Sequence, residues 1–154
     1  FIKLVNNAAS TVGPIILQYP FYSGIMGMMA TTGLMKVITD WIVSVASTET
    51  LGFFAFLSGG LVNMFIPSGG GQWAVQGPIM IEAAQSLGVN PAIVVLGVAY
   101  GDQWSNMIQP FWTIPILAIA GLHMRQILGY TFVIFIMTGI LYGSGMLYMG
   151  SGNL

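Results

Sequence analysis

The sequence predicts an all-α membrane protein whose spans are interrupted by a re-entrant hairpin and a discontinuous transmembrane helix. Three observations carry that prediction. Of 154 residues, 56% are hydrophobic and 5% charged. Soluble domains carry about 25% charged residues, so this chain lacks the polar surface to face water all round. Against that apolar background stands a glycine-rich run, Pro67-Ser68-Gly69-Gly70-Gly71-Gln72-Trp73-Ala74-Val75-Gln76-Gly77. A second polar run, Gly101-Asp102-Gln103-Trp104-Ser105-Asn106, follows it. Unpaired backbone N–H and C=O groups are costly in hydrocarbon, so unwound chain at membrane depth persists only where it is buried in protein or lines a polar cavity.

Charge and composition exclude several classes. Three Lys+Arg against four Asp+Glu leave a net charge of −1, which gives no electrostatic footprint for nucleic acid and no polybasic patch. There is no cysteine, hence no disulfide framework or thiolate metal site, and the lone His123 cannot form a transition-metal cluster by itself. No cofactor is expected. Phe1 follows neither a start methionine nor a charged n-region, so the chain is expected to be part of a longer protein.

Residues 11–30 carry no charge over a length that can cross the bilayer, and Pro14 and Pro20 predict a kink in that transmembrane helix. Ser23, Gly24 and Gly27 would let another helix approach it closely. Residues 34–46 are too short to span. Lys36 and Asp40, four apart among apolar residues, predict an interfacial amphipathic helix, with Trp41 at headgroup depth.

Residues 50–88 form two apolar stretches about the glycine-rich run, each short for a full crossing. They predict a re-entrant hairpin with residues 68–72 at its tip and Pro78 in the first turn of its second helix. Residues 91–122 predict a broken transmembrane helix with its break at Gly101–Asn106. Residues 127–149 predict a last span, with Gly139 and Gly143 at a spacing that reads as ordinary helix packing. Lys36 and Arg125 fall on opposite sides of the membrane by this count, so the positive-inside rule gives no orientation.

Two breaks close in sequence suggest a place where something polar is held. At the tip, Ser68, Gly69, Gly70, Gly71 and Gln72 are the candidate substrate-binding residues. Their amides precede a helix N-terminus, where the dipole favours an anionic group such as a carboxylate. At the break, Gly101, Asp102, Ser105 and Asn106 are the candidate ion-coupling residues. An intramembrane carboxylate should be protonated, coordinated to a cation or bonded to freed N–H groups. Asp102 and Asn106 could offer oxygens to Na⁺, or Asp102 could carry H⁺. The plainer role for Asp102 is to cap the second half-helix. Trp73, Trp104, Phe111 and Trp112 could form an apolar wall. Glu82 is expected at the interface or in a vestibule, and His123 in a surface loop.

The run Val62-Asn63-Met64-Phe65-Ile66-Pro67-Ser68-Gly69-Gly70-Gly71-Gln72-Trp73 through Pro78, followed by Ala99-Tyr100-Gly101-Asp102-Gln103-Trp104-Ser105-Asn106 through Trp112, closely resembles the bacterial short-chain fatty acid transporter family. That family includes acetoacetate and butyrate permeases and falls in a wider ion-transporter superfamily. Upstream, Gln18-Tyr19-Pro20-Phe21-Tyr22-Ser23-Gly24-Ile25 is similar to it too. The resemblance implies that residues 1–154 are the C-terminal transmembrane half, one structural repeat, of a larger multipass transporter in the bacterial inner membrane. It further implies cation-coupled symport, driven by Na⁺ or H⁺, of small monocarboxylates such as butyrate or acetoacetate. The partners would be the carboxylate substrate, the lipid bilayer and the N-terminal half of the same protein, with a homo-oligomer left open.

Two other readings fit parts of the sequence. A passive small-anion channel could use the same glycine-rich lining. A membrane assembly subunit without a transport role is the second, and an enzyme is disfavoured because no nucleophile–base pair, HExxH or phosphate-binding motif is present.

Overall fold

A computed structural model describes the backbone of residues 1–152 and the side chains of all of these except Thr11, Pro14, Ile15, Ala30 and Met35. Residues 153 and 154, the end of the expected unit, lie outside the described residues. The protein is an all-α membrane protein. Its helices are α1 (Ile2–Thr31), α2 (Leu34–Ser44), α3 (Leu51–Asn63), α4 (Gly69–Ser86), α5 (Pro91–Ser105), α6 (Pro110–Ala120) and α7 (Met124–Gly150).

Length and burial sort these helices. Among the described residues, α7 is the helix both long and apolar enough to cross a bilayer unaided. Its 27 residues run about 40 Å at a rise of 1.5 Å each. It leaves Ile134, Met137, Ile140 and Leu141 exposed, a surface suited to lipid. The apolar α3 and α6 are 13 and 11 residues long, too short to cross alone. Helix α1 runs unbroken from Ile2 through Pro20 to Thr31, so it begins well before residue 11.

Gly33, left-handed at φ 71°, turns the chain into α2. On α2, Thr39 and Ile42 are buried. Lys36 and Asp40 pair on the solvent face at 2.8 Å, and Trp41 is exposed. Beside Asp40, which both bonds and attracts it, the Lys36 ammonium is held above its ordinary pKa.

The centre is the pairing of α3 with α5, and glycine makes it close. A Cβ on Gly97 would lie 2.7 Å from the Gly52 carbonyl oxygen, and one on Gly59 the same distance from the Val98 oxygen. Backbones in such contact gain dispersion energy that a lipid-facing helix cannot obtain from side chains alone. Around this pair a core gathers Leu51 and Ala55 of α3, Met80, Ala83 and Ala84 of α4, and Val94 and Val98 of α5. A second cluster joins Met29 of α1 to Val62 and Ile66.

Both interruptions sit elsewhere than the sequence predicts. Helix α4 begins at Gly69, so the three glycines form its first turn and the non-helical stretch is 64–68. Pro78 therefore lies inside α4, not at its start. Proline disfavours a helical residue before it by clashing with that residue's Cβ, and here the preceding residue is Gly77, which has none. Gly77 is also where the indole of Trp73 packs, 2.7 Å from where a Cβ would stand. Likewise α5 stays helical through Gly101–Ser105, and the interruption is 106–109, closed by Pro110 at the start of α6. Gly101 serves packing, not unwinding. A Cβ there would strike the Phe56 carbonyl oxygen and come within 2.6 Å of the Gly60 nitrogen.

Candidate binding site at the tip of α4

Ser68 starts the site. Extended at φ −148° and ψ 107°, it caps α4, and its hydroxyl oxygen accepts from the Gly71 N–H at 3.3 Å. The Gln72 N–H donates to the Ser68 carbonyl at 2.7 Å. Gly69 and Gly70 leave the end of the helix uncovered, because both are exposed and neither carries a side chain. Such a terminus presents N–H groups and the positive end of the dipole to an anion.

Asp102 comes to this same terminus. A Cβ built on Gly69 would lie 3.6 Å from Asp102 Oδ2. The carboxylate projects from the last turn of α5 into a cleft of about 410 Å³, lined by Gly69, Gln72 and Trp73 of α4 and by Val98, Asp102 and Gln103 of α5. The tip and the end of α5, separate in sequence, therefore meet in space. Of the expected aromatic wall, Trp73 lines this cleft, and the other three lie elsewhere. Trp104 stacks on Phe135 of α7 at 4.1 Å and donates from Nε1 to the Phe135 carbonyl at 2.7 Å. Phe111 packs against Tyr19 and Tyr22, and Trp112 is exposed.

The four candidate ion-coupling residues divide. Only Asp102 lines the cleft. Gly101 is pressed on α3, and Ser105 and Asn106 belong to a polar knot built on Asn63, a residue that the sequence reading passes over. Asn63, wholly buried, shares the two hydrogens of Nδ2 among the Asp102 carbonyl at 3.0 Å, Ser105 Oγ at 2.8 Å and Asn106 Oδ1 at 2.8 Å. Gln109 Nε2 donates back to the Asn63 carbonyl at 2.6 Å. These side chains stand in for backbone partners where α5 stops, as buried polar groups must be paired. Asn106 Oδ1 is thus already engaged, and does not join Asp102 as a free ligand.

Gln72 also differs from expectation. It is 1% exposed, and Nε2 donates to the Gly59 carbonyl at 2.9 Å and to Gln76 Oε1 at 3.0 Å. Gln76 Nε2 continues to Ser58 Oγ at 2.7 Å. A buried amide commits its donors to the nearest acceptors, so Gln72 has none left for a substrate carboxylate. Its oxygen is the free end: Gln72 Oε1 is buried with no partner among the described residues. Gln76 joins α4 to α3 through Ser58, and Gln109 joins the 106–109 stretch to α3 through the Asn63 carbonyl. The signal that could have found Asn63, Gln76 and Gln109 is their being uncharged amides among otherwise apolar residues. Glu82 and His123 are both exposed, His123 at the start of α7.

Residues 1–149 match the family model described as "Short chain fatty acid transporter". The chain is 42% identical over 146 residues to a protein of Escherichia coli (strain K12) and 38% identical over 149 residues to one of Haemophilus influenzae (strain ATCC 51907 / DSM 11121 / KW20 / Rd). Each carries the name "Putative short-chain fatty acid transporter". The alignments cover 95% and 97% of this chain and 33% of each relative, so the chain spans about a third of their length, where the sequence reading expects a half. No solved structure matches.

Proposed function

The chain belongs to the short-chain fatty acid transporter family, and from that premise we propose that it carries the substrate and coupling site of a secondary active transporter for small monocarboxylates such as butyrate or acetoacetate. One observation supports this reading above the others: the Asp102 carboxylate stands at the uncovered N-terminus of α4. A substrate carboxylate drawn to the Gly69 and Gly70 amides and the Ser68 hydroxyl would meet a second negative charge there. Two unit charges about 4 Å apart repel by about 4 kcal/mol at an effective dielectric of 20. The substrate therefore binds well only when Asp102 is neutralised.

Neutralisation is the coupling step. A proton on Asp102, or Na⁺ held by its carboxylate, removes the repulsion and lets the helix terminus serve the substrate instead. Gln72 lines the same cleft and its buried Oε1 has no partner among the described residues, so that oxygen could accept from a protonated carboxyl or ligate a hard cation. Linkage is reciprocal, so bound substrate raises the affinity for the cation by the same factor.

The rest of the cycle follows the architecture. Helices α3 and α4 (within 50–88) act as a re-entrant hairpin, and α5 with α6 (91–122) as a broken crossing, in a C-terminal transmembrane unit. A second repeat of the full-length protein faces the site, and alternating access in the bacterial inner membrane moves it from side to side. The test is uptake of labelled butyrate by proteoliposomes holding the full-length protein. Saturable uptake, competed by acetoacetate but not by the uncharged butyramide, is expected. No uptake of any short carboxylate overturns the proposal, and flux that only equilibrates replaces it with a passive anion channel.

A further inference from the structure

A second concavity adjoins the tip of α4, and the site described above does not use it. Tyr19, Tyr22, Ser23 and Met26 of α1 form one wall, Phe111 of α6 the other, and Pro67 and Ser68 the floor. Its volume is about 150 Å³. Phe111, 8% exposed, lies parallel to Tyr19 at 5.1 Å and meets Tyr22 edge-on at 4.7 Å, so the aromatic walls brace one another. Ser68 belongs both to this concavity and to the cap of α4.

We propose that this concavity receives the alkyl tail of the carboxylate and sets the chain length the transporter accepts, with Phe111, Tyr19 and Tyr22 as the specificity-determining residues. The inference rests on the transport reading and assigns it a second subsite. A carboxylate held at Ser68 and the α4 amides has its tail next to this aromatic space, whose lining does not include Asp102. An apolar cavity of roughly 150 Å³ takes a guest the size of benzene. A propyl or pentyl tail fits that space, and a heptyl tail overfills it. Each methylene buried there tightens binding roughly fourfold until the space is full.

The experiment competes labelled butyrate uptake, in proteoliposomes of the full-length protein, with acetate, butyrate, hexanoate and octanoate. Wild type should bind more tightly from acetate to hexanoate and then weaken at octanoate. Phe111→Leu, which widens the space while keeping an apolar side chain, should move the optimum towards octanoate. Ser23→Phe, which fills the space from an exposed position and removes no packing, should move it towards acetate. The octanoate-to-acetate preference of the two variants should differ by on the order of tenfold or more. A variant that no longer transports is read by displacement of labelled butyrate from the solubilised protein. Unchanged preference in both variants, or a shift in the same direction, overturns the tail subsite while leaving the transport reading standing. A wild type that moves no member of the series overturns the transport reading and this inference with it.

Discussion

Asp102 and Gly69 are neighbours across the cleft: a Cβ on the glycine would sit 3.6 Å from the aspartate's Oδ2. A helix N-terminus with no side chain in its first turn thereby faces the carboxylate in the last turn of α5, the helix that follows α4 in the chain and packs directly against it. Charge on Asp102 decides whether the terminus is open to another anion.

Glycines of the two polar runs should respond to alanine in opposite ways. Gly101→Ala drives a methyl into the Phe56 carbonyl and the Gly60 nitrogen, both backbone atoms that cannot step aside. Overpacking of that kind costs about 1–3 kcal/mol. The Tm of the detergent-solubilised protein should fall. Gly70→Ala meets nothing within 4 Å and replaces glycine in a helix, so stability should hold or rise by about 0.5–1 kcal/mol. Substrate affinity should nonetheless fall in Gly70→Ala, since the methyl would stand where the carboxylate approaches. A bare structural role for the tip predicts no loss of transport in that variant.

Asn63→Leu tests the knot at the end of α5. The change leaves Ser105 Oγ, Asn106 Oδ1 and the Asp102 carbonyl without the amide that serves all three. A buried acceptor that loses its donor costs about 1–3 kcal/mol. Thermal unfolding should shift down, and hydrogen exchange should quicken at 106–109, whose N–H groups are held only by long turn bonds of 3.2 to 3.4 Å. Unaltered exchange there would show that residues 106–109 hold their shape without Asn63.

Gln72→Leu and Gln76→Leu separate the two ends of the α3–α4 amide chain. Gln76→Leu strips Ser58 Oγ of its donor and Gln72 Nε2 of one acceptor, and should lower stability with little change in coupling. Gln72→Leu also removes the unpartnered Oε1 of a residue that lines the same cleft as Asp102. Its transport should need a steeper cation gradient or a lower external pH to reach half-maximal rate. Equal effects of the two substitutions on that gradient dependence would contradict a role for Gln72 Oε1.

The fold class was legible because it depends on quantities a sequence carries openly: the scarcity of charge, the apolar stretches and the two polar runs. The candidate site was legible in part for the same reason. Glycines 69–71 and Asp102 stand out against apolar neighbours, and the structure brings them together. Where helices start and stop was harder to read, since packing settles it. Gly101 looks like a helix breaker in isolation, but α3 lies against it and holds it helical. Pro78 looks like a first-turn residue, but Gly77 lets the helix pass through it. Asn63 stands out in the sequence only as an amide in an apolar helix, because the bonds that give it its role run to residues about forty positions away.

Gradient dependence at Asp102 tests the central claim most directly. Labelled butyrate uptake would be followed in proteoliposomes of the full-length protein, with an inward Na⁺ or H⁺ gradient imposed separately and then collapsed, for wild type and for Asp102→Asn. Concentrative wild-type uptake that follows one of the two gradients is predicted. Asp102→Asn, neutral at every pH, should still bind butyrate yet carry it only to equilibrium. Concentrative uptake that persists in Asp102→Asn, or wild-type flux indifferent to both gradients, would contradict Asp102 as the coupling group.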